Sequence, residues 1–245
     1  MNIIRASDYL ETSKIAADII ASQICRKPNS VLGLATGGSP VGTYEQLIEK
    51  HRAGLDFSQI RTVNLDEYVG LAPDHPQSYA RYMSENFYDH INISPENVHI
   101  PDGTDADTQH QCEAYDQIIR SLGGIDLQLL GIGHNGHIGF NEPSLSFSKG
   151  THCVDLTHTT IAANARFFED ESEVPKRAYT MGIRHIMQAR QVIMIVTGSD
   201  KAEVLKEAFY GPVTPAVPAS ILQFHPDFTL IADADALQYF PENSL

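Results

Sequence analysis

Short, near-continuous aliphatic runs alternate along this chain with longer segments whose apolar residues recur every three or four positions. The runs fall at 3–5, 31–35, 61–65, 125–132, 191–197 and 228–232. Several lack the apolar/polar alternation of a half-exposed strand, which is the pattern of parallel strands covered on both faces. Between them, the segment 7–24 carries Leu10, Ile15, Ile19 and Ile20 at helical spacing. The segments 43–52, 78–90, 109–122 and 200–209 read as further helices, and Gly54 stops the second helix. Strand and helix in regular succession predict an α/β fold with a mostly parallel sheet. The stretch 140–178 is more polar and less regular, and is expected to form a lid or a small excursion within a single domain spanning 1–245.

Composition narrows the partners. A chain of 245 residues with 42% hydrophobic content can bury one large core. A net charge of −14 argues against a nucleic-acid partner, because backbone phosphates need a basic face. A small anion is still accessible, since it needs only a local group of N–H donors and one or two cations. No apolar run reaches the roughly 18 residues of a membrane span, and Met1-Asn2-Ile3-Ile4-Arg5 carries no signal-peptide pattern. A cytoplasmic protein is therefore expected. Cys25, Cys112 and Cys153 are scattered along the chain and fit reduced thiols, not a disulfide framework or a zinc cluster.

Ligands of open α/β sheets bind outside the carboxyl ends of the strands, so the residues after each run matter most. Thr36, Gly37, Gly38, Ser39 and Pro40 follow the second run and open a helix. Such a loop suits an anion, or it is a tight turn that binds nothing. Asp66, Glu67 and Tyr68 follow the third run. Adjacent carboxylates there could titrate high and act as a base, or Asp66 could simply cap a turn. The stretch "GIGHNGHIGFNEP", 131–143, follows the fourth run with His134, Asn135, His137 and Glu142. An imidazole beside a carboxylate suits acid/base work; the ligand set is incomplete for a metal, and a structural loop is the third reading. Gly198, Ser199, Asp200 and Lys201 form a second candidate anion site, or Lys201 is a solvated lysine. Arg166 supplies a further cation, or is a surface arginine. Together these groups sit at one edge of one inferred sheet, the layout of an enzyme acting on a small phosphorylated molecule.

Four stretches, "LGLATGGSPVGTY" (32–44), "NLDEYVGL" (64–71), "GIGHNGHIGFNEP" (131–143) and "TGSDKAEVLKEA" (197–208), resemble the glucosamine-6-phosphate deaminase family in the same order and at similar spacing. The resemblance covers nearly the whole chain. It implies a doubly wound, mostly parallel, Rossmann-like sheet with a lid over the substrate site. It implies conversion of glucosamine 6-phosphate and water to fructose 6-phosphate and ammonia, without metal or other cofactor. Carried over by position, Asp66 is the base that moves a proton between C2 and C1. His137 assists ring opening with Asn135 and Glu142 as its partners, and phosphate contacts fall on Thr36, Gly37, Gly38, Ser39, Arg166 and Lys201. The basic residues associated with hexameric, allosterically activated relatives are absent from Thr151-His152-Cys153-Val154, so a monomer or small homo-oligomer is expected. Two rivals share the fold, a 6-phosphogluconolactonase and a sugar-phosphate-sensing domain. The full second and third stretches disfavour the former. The absence of a basic helix-turn-helix stretch, with retention of Asp66, His137 and Glu142, disfavours the latter.

Overall fold

The computed structural model describes residues 1–165, 168, 170 and 173–241. In chain order the first half holds β1 (Asn2–Ala6), α1 (Tyr9–Arg26), β2 (Val31–Leu34), α2 (Val41–Arg52), β3 (Arg61–Asn64), β4 (Asp66–Tyr68), α3 (Tyr79–Asn86) and β5 (Val98–His99). The second half holds α4 (Thr108–Ser121), β6 (Leu127–Leu130), β7 (His152–Asp155), α5 (His158–Asn164), β8 (Arg177–Thr180), α6 (Ile183–Gln188), β9 (Gln191–Val196), α7 (Ala202–Tyr210) and β10 (Phe228–Asp233).

Seven strands form a parallel sheet in the order β1-β10-β9-β6-β2-β3-β5. Successive strand residues enter opposite layers. Val192, Met194 and Val196 join one buried cluster with Tyr115 and Ile119 of α4, Ile186 of α6 and Leu205 of α7. Ile193 and Ile195 join the other, with Ile20 of α1, Leu47 of α2 and Met83 of α3. Because both faces are covered, the strands read as unbroken aliphatic runs. Each such side chain contributes about 1.5–3 kcal/mol by burial.

From β1 at one edge the chain crosses to β2 near the middle and steps outward to β3 and β5. It then returns to β6 and steps the other way through β9 and β10. The carboxyl ends of β2 and β6 therefore flank the switch point, where a crevice forms. The amino ends are closed by structure: Asp126 accepts Lys27 Nζ at 2.7 Å and the Val31 N–H at 2.8 Å, and pairs with Arg190.

Several expectations are corrected in detail. The first helix starts at Tyr9 and not at residue 7, because the Asp8 carboxylate accepts the Glu11 N–H at 2.8 Å and caps it. The helix expected over 78–90 ends at Asn86, and a separate single turn covers Tyr88–His90. Asp66-Glu67-Tyr68 is neither turn nor cap but strand β4, pairing antiparallel with β8, which pairs with β7. This small sheet closes on a satellite core of Tyr68, Phe140, Leu156 and Ala178. It accounts for the irregular look of 140–178, whose strands are short and only half buried along β7. Cys112 and Cys153, distant in sequence, are neighbours between α4 and β7, and burial pushes the Cys112 thiol up to about 11.

Candidate active site

A cavity of about 500 Å³ opens at the switch point. Thr36, Gly37, Gly38 and Ser39 after β2, Asp66 after β3, Asn135 and His137 after β6, and Lys201 after β9 all line it. Eight of the ten residues to which the resemblance gives a role thus meet in one space. Glu142 stands behind His137, and Arg166 lies outside the described residues.

The loop after β2 is held by tyrosines through its carbonyls. Tyr44, Tyr82 and Tyr9 donate to the carbonyls of Ala35, Gly37 and Gly38 at 2.5, 2.7 and 3.3 Å. The N–H groups of Thr36, Gly37, Gly38 and Ser39 enter no hydrogen bond among the described residues. A rigid loop with spare N–H donors at the start of α2 can receive an anion. Lys201 Nζ donates to the Ile132 carbonyl at 3.0 Å, which anchors a cation beside the loop. At the second candidate anion site, 198–201, one donor is already committed. The Gly198 N–H donates to the Asp233 carboxylate at 3.0 Å, so it is already used by the fold.

Strand alternation separates the two adjacent carboxylates. Glu67 turns to the start of α3, where it accepts the N–H groups of Tyr68, Tyr79 and Ala80 at 2.8, 2.9 and 2.8 Å. Burial nevertheless pushes it up to about 7 against those donors. Asp66 faces the cavity while 6% exposed. Burial, with the neighbouring Glu67 charge adding to it, pushes Asp66 up to about 8. Gly139 crosses directly above it at φ +57°, where an added Cβ would lie 3.4 Å from Asp66 Oδ2 and 3.0 Å from Thr180 Oγ1. Only glycine takes that conformation without strain, and Thr180 fixes the passage by accepting the Phe140 N–H at 3.0 Å.

His137 lies against bare backbone: a Cβ on Gly133 would meet its Nε2 at 2.3 Å. Its Nδ1 lies 3.4 Å from Glu142 Oε2, close enough for a charge pair but not aligned as a hydrogen bond. Asn135 braces both residues. Its amide donates to Glu142 Oε2 at 2.7 Å, and its oxygen accepts the His137 N–H at 3.2 Å. On the far side, Thr160 Oγ1 donates to Glu142 Oε1, with Thr157 Oγ1 at 3.4 Å. Burial acts to raise the Glu142 pKa, but His137, Thr160 and Asn135 outweigh it and hold the carboxyl below the usual range. Glu142 is thus a buried anion beside an imidazole, which suits proton exchange with a ligand in the cavity.

His134, which carried no assigned role, pairs with Asp200 at 2.8 Å and links the β6 loop to the turn before α7. Sequence reasoning missed Tyr79, Thr159, Thr160 and Asn164, which also line the cavity. The Thr157-x-x-Thr160 spacing was a readable signal, because Thr157 caps α5 by accepting the Thr160 N–H at 3.3 Å. Tyr79 gave none. Among the described residues, no group of three or more His, Cys, Asp or Glu is placed to hold a metal ion. No helix of the described residues is long and apolar enough to cross a membrane.

Residues 10–230 match the family described as glucosamine-6-phosphate isomerases/6-phosphogluconolactonase. A glucosamine-6-phosphate deaminase of Lachnoclostridium phytofermentans is 59% identical over 94% of this chain and 98% of its own length. Another, of Thermoanaerobacter pseudethanolicus, is 52% identical over 100% of this chain and 97% of its own. A solved structure of a monomeric glucosamine-6-phosphate deaminase superposes with a TM-score of 0.95 at 46% identity, covering 97% of this chain and 99% of that one. The 6-phosphogluconolactonase of Trypanosoma brucei shares the fold, with a TM-score of 0.80 at 21% identity over 98% of each chain. The chain belongs to the glucosamine-6-phosphate isomerase/6-phosphogluconolactonase family.

Proposed function

We infer that the chain is a glucosamine-6-phosphate deaminase, converting glucosamine 6-phosphate and water to fructose 6-phosphate and ammonia. The observation that carries this reading is one cavity holding a buried carboxylate, Asp66, together with the His137–Glu142 pair and the Thr36–Ser39 N–H groups. The deaminase names of relatives at 59% and 52% identity support it.

The chemistry follows from these groups. Ring opening needs the proton of the anomeric hydroxyl removed and a proton delivered to the ring oxygen. An imidazole performs both, and His137 is assigned that step with Glu142 supplying compensating charge. With C1 a carbonyl, Asp66 takes the C2 proton to give an enol-type intermediate. A proton passes from the ammonium to the C1 oxygen, and return of the C2 proton to C1 leaves an imine at C2, which water hydrolyses to the ketone and ammonia. The substrate phosphate, held by the Thr36–Ser39 loop and Lys201, orients the sugar so that C2 meets Asp66. Thr159, Thr160 and Asn164 of α5 line the same cavity, and we read the segment carrying β7 and α5 as its lid. A cytoplasmic location and a monomer or small homo-oligomer fit the same reading.

Assay of ammonia and fructose 6-phosphate from glucosamine 6-phosphate tests the reading, with galactosamine 6-phosphate alongside. Hydrolysis of 6-phosphogluconolactone without ammonia release would transfer the chain to the lactonase branch. Since every step is a proton transfer or a hydration, exhaustive chelation should leave turnover unchanged. Loss on chelation, recovered by added metal, would refute that chemistry. Lys201→Ala removes a charge-assisted contact worth roughly 1.5–3 kcal/mol. KM for glucosamine 6-phosphate is expected to rise about 10- to 100-fold. A KM within about twofold of the parent would remove Lys201 from phosphate binding.

A further inference from the structure

Glu142 stands between the substrate cavity and a second cavity of about 240 Å³ behind it. Asn135 and His137 face its Oε2. The Oε1 atom is held from another element, by the Thr160 hydroxyl in the first turn of α5. A carboxylate rotates about its last bond, so fixing one oxygen decides where the other points. The hydroxyls are ordered in series: Thr157 Oγ1 donates to Thr160 Oγ1 at 3.0 Å, and Thr160 Oγ1 donates onward to Glu142. With one proton per hydroxyl, that order commits the Thr160 proton to the carboxylate. Thr160 also lines the substrate cavity together with its neighbour Thr159 and with Asn164.

We propose that Thr160 is a positioning residue for the reaction. Its hydroxyl sets the rotation of the Glu142 carboxylate so that Oε2 is presented to His137. It thereby makes the charge beside His137 depend on where α5 sits. The proposal rests on the deaminase reading, in which His137 opens the ring. It assigns to α5 a part in that step beyond closing the cavity.

The consequences have a definite sign. A donor to an ionised carboxylate favours the ionised form. Removing the Thr160 hydroxyl therefore raises the pH at which Glu142 ionises. The other titratable groups around Glu142 are His137 in front and His152 and Asp155 of β7 in the second cavity. All three remain in the variants.

The test compares Thr160→Val, Thr160→Ala and Thr160→Ser with the parent chain. Both Thr160→Val and Thr160→Ala are expected to lower kcat about 10- to 100-fold, with KM within about threefold. Thr160→Ser, which keeps the hydroxyl, should restore most of kcat. Carbon-13 NMR of the Glu142 carboxyl, assigned with Glu142→Gln, should show its titration midpoint rising in Thr160→Ala and returning in Thr160→Ser. If the midpoint does not move, or if Thr160→Ser is as impaired as Thr160→Val, the proposal fails. Parent protein that releases no ammonia overturns the deaminase reading instead, and the NMR titration still decides the positioning claim without turnover.

Discussion

Asp66→Asn is expected to lower kcat by about 10²- to 10⁴-fold, the range of a general base, while binding of the sugar phosphate persists. The amide keeps the shape of the side chain but cannot accept the C2 proton. Binding should survive because the Thr36–Ser39 loop and Lys201, proposed to hold the phosphate, lie on other strand ends. Isothermal titration with an unreactive sugar phosphate separates the two effects. Turnover within about tenfold of the parent would remove Asp66 as the base.

The same substitution carries a pH signature. The Asp66 pKa is pushed up to about 8 in the fold by burial and by Glu67, from about 3.9 in an unfolded chain. Between those values the native state binds the proton that the unfolded state releases. Stability from this group is therefore complete below about pH 4 and is lost as pH rises toward 8. Asp66→Asn removes that loss. The variant should be more stable than the parent by a few kcal/mol (~2–4) at pH 8, and the two should converge near pH 4. Chemical denaturation at the two pH values measures it, and equal stability at pH 8 would contradict burial of an uncompensated carboxylate. For catalysis the base must be ionised. The acidic limb of kcat/KM, which reports the free protein, should lie far above pH 4. A cationic amino sugar beside Asp66 favours the carboxylate, so the limb of kcat should fall at lower pH than that of kcat/KM.

Gly133→Ala is the second large effect. The new Cβ would stand 2.3 Å from Nε2 and 2.4 Å from Cε1 of His137, where no two atoms can sit. The imidazole must swing away from the place it shares with Glu142 and Asn135. A displacement of about 1 Å in a reacting group costs about 100-fold in rate, and kcat should drop by that order. The residues proposed to hold the phosphate lie elsewhere in the cavity, so KM should change little. A reopened-ring substrate analogue, which bypasses the step assigned to His137, should recover part of the loss. Wild-type kcat in Gly133→Ala would mean that the ring position seen here is not the working one.

Most of the sheet was legible because hydrophobic periodicity is a local property. Runs such as 191–197 have no polar alternation, and β9 is buried along nearly all its length. The two-residue β5 and the three-residue β4 were not legible, since so short a stretch carries no period, and tertiary pairing alone makes them strands. The Asp66–Glu67 pair shows the same limit inside the site. Two adjacent carboxylates look equivalent in sequence, yet strand pleating sends Asp66 to the cavity and Glu67 to the α3 amides. At the Gly198 turn the residue types suit an anion, but Asp233, thirty-five positions away in sequence, takes the Gly198 N–H, which no local pattern shows.

By itself, the sequence determined the alternation of strand and helix, the acidic balance that disfavours polyanions, and the residue types at each strand end. These depend on neighbours within a few positions or on simple sums. The tertiary structure alone decided which strand ends meet, because strand order arises from crossovers between distant segments. Placing β2 beside β6 at the centre created the crevice, brought Asp66, His137, Lys201 and the Thr36–Ser39 loop around one cavity, and set α5 against Glu142. Burial, and with it the raised pKa of Asp66, is likewise a property of that assembled space and of no segment alone.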